Sequence, residues 1–117
     1  MAYLDGFVLA VPRDQIDAYC AMAKTMMDIW LEHGALSGVE AAGDDVPEGV
    51  LTSFPMAVKA AADEVVFFSF ITYRDRAHRD AVNAAVMADP RTHSDMHAGI
   101  FDAKRMIWGG FDVKVSA

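Results

Sequence analysis

Short apolar runs bounded by turn formers mark four stretches of the chain, and apolar positions recur at helical spacing in two longer ones. Tyr3 to Val11 is short, rich in Phe7, Val8 and Val11, and stops at Pro12, which predicts a strand. Ile16, Cys20, Ala23, Met27 and Trp30 then repeat at alternating four- and three-residue steps, so they share one face of a long helix. Tyr19, Met22, Met26, Ile29 and His33 form a second stripe beside it, and Asp17, Ala21, Lys24, Asp28 and Glu32 make up a mostly charged remainder. Pro12 near the start, Asp14 and Asp17 at the positive end and Gly34 as a C′ residue bound this helix. Leu36 to Ala42, small and apolar around Glu40, predicts a second strand. Gly43 to Gly49 is acidic and dense in turn formers, hence an exposed loop.

Val50 to Ala62 fits either extended chain or a helical turn over Ala57 to Ala62, and Pro55 argues against a central strand there. Val65 to Tyr73 is the clearest strand. Asp75 then predicts the N-cap of a helix to about Met87, with Ala77, Ala81, Ala85 and Ala88 facing inward and Asp89-Pro90 ending it. Arg91 to Gly99 reads as a polar loop. Lys104 to Val115 predicts the last strand, with a bulge or close backbone approach at Gly109-Gly110.

The order βαββαβ predicts a single α+β domain over residues 1–117, a ferredoxin-like sandwich of a four-stranded antiparallel sheet with both helices on one face. The uncovered face should then alternate with polar residues. It does not: Val66, Phe68 and Phe70 lie opposite Val65, Phe67 and Ile71, and Leu4, Val8 and Ala10 lie opposite Tyr3, Phe7, Leu9 and Val11. An apolar patch of that size needs a cover, and the simplest is a second copy, giving a homodimer through the open sheet face.

Composition narrows the function classes. The 117 residues carry 10 Lys plus Arg against 17 Asp plus Glu, a net charge of −7, which disfavours anionic membranes and nucleic acid as partners. Phe68 and Phe70 share a face, as base stacking on an RNA-recognition sheet requires, but the glycine-containing signature of that strand is missing. The start of the chain has no basic segment before an apolar one, and no apolar run nears the ~18 residues that cross a bilayer. A soluble cytoplasmic protein is the expectation. One cysteine, Cys20, leaves no intrachain disulfide, and its place on the apolar stripe suggests inert packing. No phosphate-binding glycine loop, dinucleotide fingerprint or nucleophile elbow is present, so no cofactor is expected.

Three titratable residues stand out as catalytic candidates. Asp5 and Glu40 interrupt apolar strands, where a carboxylate belongs either to a solvated edge or to a polar pocket. Facing one side, they could pair with Arg105 or Lys104. His33 ends the second helical stripe, either as a dipole-stabilised C-terminal residue or as an acid–base group lining a helix–sheet pocket. Tyr3, Phe68, Phe70 and Trp108 are candidate walls of an apolar ligand cleft, with Arg105 as a polar contact. His93 and His97 have metal-like i, i+4 spacing, but they lie in a loop and lack the intervening Glu of a zinc-protease motif, so no metal site is assigned.

Asp5-Gly6-Phe7-Val8, Glu32-His33-Gly34-Ala35-Leu36, Gly43-Asp44-Asp45-Val46-Pro47, Thr52-Ser53-Phe54-Pro55, Asp89-Pro90-Arg91 and Gly109-Gly110-Phe111 run in order through nearly the whole chain. On them the sequence resembles the YbaA-like family of small bacterial proteins of unknown function. The resemblance implies the dimeric α/β-barrel superfamily, in which two ferredoxin-like subunits press their sheets together. It implies no particular reaction. The expected function is a homodimer that binds or turns over a small organic molecule in a sheet–helix pocket. The alternative is a non-catalytic dimeric module whose own Met and Phe side chains fill that space.

Overall fold

The first strand is the centre of the molecule. In the computed structural model, which describes residues 2–117, β1 (Tyr3–Pro12) pairs antiparallel with both β3 (Glu64–Tyr73) and β4 (Ile107–Asp112). Strand β2 (Ser37–Ala42) pairs with the outer side of β3, giving the order β2-β3-β1-β4. Helices α1 (Ile16–Glu32) and α3 (Arg76–Ala88) pack on one face, and a single short turn, α2 (Phe54–Ala57), lies between β2 and β3. This is the ferredoxin-like α+β architecture.

Local chemistry sets the boundaries. The Asp75 side chain accepts from the His78 amide and starts α3, and Ser53 accepts from the Met56 amide to start α2, with Pro55 in its first turn. Gly34, at φ +111°, lets the chain leave α1 in a conformation other residues adopt only with strain.

Three expectations are corrected. The last strand is shorter than Lys104 to Val115: Asp102 caps a 3₁₀ turn over Ala103–Arg105, so pairing begins only at Ile107 and ends at Asp112. The alanine face of α3 turns outward except for half-buried Ala85, because Val82 and Val86, with Arg79 and Asn83 beside them, bury more surface. In α1 the buried residues are Tyr19, Ala23 and Ile29, which rotates Cys20 into solvent.

The helix side of the sheet holds two apolar groups. Tyr3, Tyr73, Ile29, Val82 and Val86 pack at one end, and Leu9, Val11, Phe67, Tyr19 and Ala23 at the other. On the opposite face the described residues cover one end, where Val58 packs on Ala10 and Val66.

Gly109 and Gly110 stay in register with β1 without a bulge, and the second of the two expectations holds there. The Tyr3 hydroxyl and the Arg79 guanidinium pass directly over Gly110; a Cβ there would meet the Tyr3 oxygen and lie 2.8 Å from Arg79 Nη2. Gly110→Ala is therefore expected to destabilise by about 1–3 kcal/mol through overpacking, read as a lower urea midpoint with an unchanged slope.

Candidate functional site

Helix α1 carries its aromatic and methionine stripe across β1, β3 and β2, and the packing is incomplete. A cleft of ≈ 170 Å³ remains, walled by Met22, Met26, Met27, Trp30 and Tyr19 from the helix and by Phe7, Leu9, Ile71 and Glu40 from the sheet, with Phe101 and Met106 closing one end. Gly38 makes part of this wall possible, since Met27 lies so close to it that a Cβ would sit 3.1 Å from the thioether.

Glu40 is the one charged side chain lining this cleft among the described residues. The Tyr19 hydroxyl donates to it, 2.6 Å from Oε1 and 3.0 Å from Oε2, and Ser69 stands directly opposite on β3 as a further polar contact. Burial pushes the Glu40 carboxyl above its ordinary value, and the Tyr19 and Ser69 hydroxyls draw it part-way back. Burial, then the hydrogen bond and charge of Glu40, hold the Tyr19 phenol far above its usual range. Tyr19 escaped the sequence reading because it sat in an apolar stripe; its polar tip on that stripe was the available signal.

A folded-state carboxyl with a raised pKa loses stability as pH climbs from the ordinary value of 4.5 through the folded one. Glu40→Gln removes that loss. The variant should melt with wild type near pH 4 and above it near neutrality, in thermal scans across that range.

Asp5 is on the same sheet face but elsewhere. It is buried under α3, with Arg79 Nη2 and Nε at 2.9 and 3.0 Å from Oδ1, while the Tyr73 hydroxyl and Asn83 amide donate to Oδ2 at 3.0 and 3.3 Å. The expected pairing with Arg105 or Lys104 is corrected: Arg79 is one turn from Asn83 on α3 and is the partner within reach. Arg105 instead forks onto Glu64, 2.7 Å at each oxygen, and reaches the Lys59 carbonyl at 2.8 Å. That arrangement borders a separate polar cleft lined by Arg13, Asp44, Glu48 and Lys59.

His33 caps α1 and points away from the sheet–helix cleft. Its Nε2 lies 2.8 Å from Asp89 Oδ2, and Arg91 ties Asp89 to Glu32 at 2.8 and 2.6 Å. Arg91 first, and His33 second, hold the Asp89 carboxyl well below the usual carboxylate range. Here two segments distant in sequence, Glu32-His33 and Asp89-Pro90-Arg91, clasp one another. His93 Nε2 is 2.8 Å from the Met87 carbonyl, and His97 packs against the Phe101 ring, so the two histidines serve different neighbours.

The four aromatic candidates do not share a cleft. Tyr3 is buried on the helix side with Arg79 over its ring. Phe70 is among the residues lining the α1–sheet cleft, whereas Phe68 and Trp108 line a second groove with Phe111, Trp108 mostly exposed on edge strand β4.

The family described as "Protein of unknown function (DUF1428)" matches residues 2–103. The chain belongs to the DUF1428 family. Within it, the "Uncharacterized protein YbaA" of Escherichia coli (strain K12) is 49% identical over 112 residues, covering 96% of each chain, and that of Shigella flexneri matches equally. Among solved structures, a dimeric ferredoxin-like protein from an uncultured marine organism superposes with a TM-score of 0.55 at 10% identity, covering 95% of this chain and 92% of the other. The de novo designed protein Foldit4 gives 0.51 at 8% identity, covering 97% and 100%. These structures share the fold with this DUF1428 chain. No described helix is long and apolar enough to cross a membrane.

Proposed function

We propose that the protein is a homodimer that binds a small organic molecule in the cleft between α1 and the sheet, one cleft per protomer. The observation that carries this reading is Glu40. A carboxyl without a cation, half-buried in an otherwise apolar cleft, is unfavourable for folding alone, whereas the buried Asp5 has Arg79. Glu40 is the group placed to hold a ligand's polar atom or to exchange a proton with it. The methionines around it line the space rather than fill it, which favours binding over the purely structural module. Thioethers on flexible stems adapt to ligand shape.

The dimer is supported by the uncovered sheet face and by the dimeric ferredoxin-like neighbour. Phe68, Ile107 and Phe111 stand exposed on it beside Leu4 and Val8, around a groove of ≈ 420 Å³. Val50 and Leu51, 99% and 95% exposed, form an apolar tip just before α2, fixed by Gly49 at φ +74° packing under the Thr52 carbonyl. A cytoplasmic location goes with this reading, because an exposed lone thiol such as Cys20 suits a reducing compartment.

The test uses toluene as probe and the methionine methyl groups as reporters. Saturable NMR shifts at Met22, Met26, Met27 and Met106, with the other methionines unmoved, are the expected result. Unmoved signals at those four positions up to the solubility of toluene would overturn the binding reading.

A further inference from the structure

We infer that the α1–sheet cleft selects small apolar molecules that donate a hydrogen bond through an amine or a hydroxyl, and that it rejects carboxylates and phosphates. This deepens the proposed function and rests on it.

Size sets the first limit. A dry cavity of ~150 Å³ takes up benzene, so a cleft of ≈ 170 Å³ suits one ring or a short branched chain with a single polar substituent. Met22, Met26 and Trp30 offer that substituent nothing stronger than an aromatic face or a thioether.

Charge sets the second limit. Glu40 is the only charged side chain on the lining among the described residues, and its nearest polar neighbours, Tyr19 and Ser69, are hydroxyls. Tyr19 spends its one proton on Glu40. What remains facing the cleft is a pair of carboxyl oxygens with spare lone pairs, an acceptor surface. An anion placed there would meet a like charge at low dielectric with no cation to offset it. An ammonium or phenol meets a charge-assisted partner. The net charge of −7 acts in the same direction, drawing cations toward the protein and repelling anions.

The two cations nearest in kind are already committed. Arg79 is held by Asp5 and Asp80, and Arg105 by Glu64 and Asp102. Neither lines the cleft.

The experiment titrates the full chain and its Glu40→Gln variant with three probes of one size, toluene, benzylamine and benzoate, at neutral pH and fixed salt, reading the methionine methyl signals. Toluene should bind both proteins alike. Benzylamine should bind wild type at least about tenfold more tightly than the variant, the effect of one charged hydrogen bond. Benzoate should fail to bind wild type and gain affinity on the variant, whose amide can donate. Equal benzylamine affinity for the two proteins, or benzoate binding wild type as well as toluene does, would overturn the selectivity. Failure of toluene on both proteins removes the binding reading itself, and the inference with it.

Discussion

Arg79→Met is expected to lower the unfolding free energy by about 3–5 kcal/mol, the usual effect of leaving one half of a buried ion pair alone. Asp5 is 2% exposed, so water cannot replace the guanidinium. The Tyr73 hydroxyl and Asn83 amide stay in place, yet neither carries charge, and Asn83 is also engaged by the Trp30 indole at 3.2 Å. The methionine keeps most of the aliphatic stem, which separates loss of charge from loss of packing. Urea denaturation measures the effect. A second chain carrying Asp5→Leu with Arg79→Met should recover most of the stability, since both partners are then apolar. A loss below ~1 kcal/mol in the single variant would mean that the Tyr73 and Asn83 donors suffice for Asp5.

Phe111→Asp is expected to convert the proposed dimer into a folded monomer. The Phe111 ring lies across Gly6 and Gly109 on the open face, 3.6 Å from where a Cβ would stand on either, and is 58% exposed in the single chain. Phe68, Ile107, Val39 and Phe54 stand exposed with it, and a standard interface buries about 800 Å² on each partner. A carboxylate within that surface would be desolvated in the dimer without a counter-charge. Light scattering at micromolar concentration should give about twice 12.7 kDa for wild type and 12.7 kDa for the variant. Lys24→Glu, on the outer side of α1, should leave the dimer intact. A wild-type monomer would contradict the covered-face argument.

Periodicity made the architecture legible. The three- and four-residue stripes located α1, the run from Val65 to Tyr73 located β3, and two-faced apolar strands marked the sheet as needing a cover. What periodicity leaves open is rotation and register. Cys20 and Tyr19 are neighbours in sequence, and a modest turn of the helix decides which is buried. Tyr19 won because its ring packs against Phe67, with centroids 4.7 Å apart, while its hydroxyl reaches Glu40. The α3 alanines lost to Val82 and Val86 for a similar reason. At the site, Glu40 and Asp5 were visible as carboxylates out of place, but their partners come from residues 21 and 74 positions away, which only pairing in three dimensions selects. His33 found Asp89 by the same kind of long closure.

The position of β1 has a consequence for synthesis. It precedes both its sheet neighbours on the chain: β3 begins at Glu64 and β4 only at Ile107. Until Ile107–Asp112 emerges, the Tyr3–Val8 edge of β1 lies unpaired beside a glycine-lined groove. Such long-range closure slows folding and prolongs exposure of sticky edges. The nascent chain is therefore most exposed to mispairing in the interval between β1 and β4, and emergence of Ile107–Asp112 is the step that ends it.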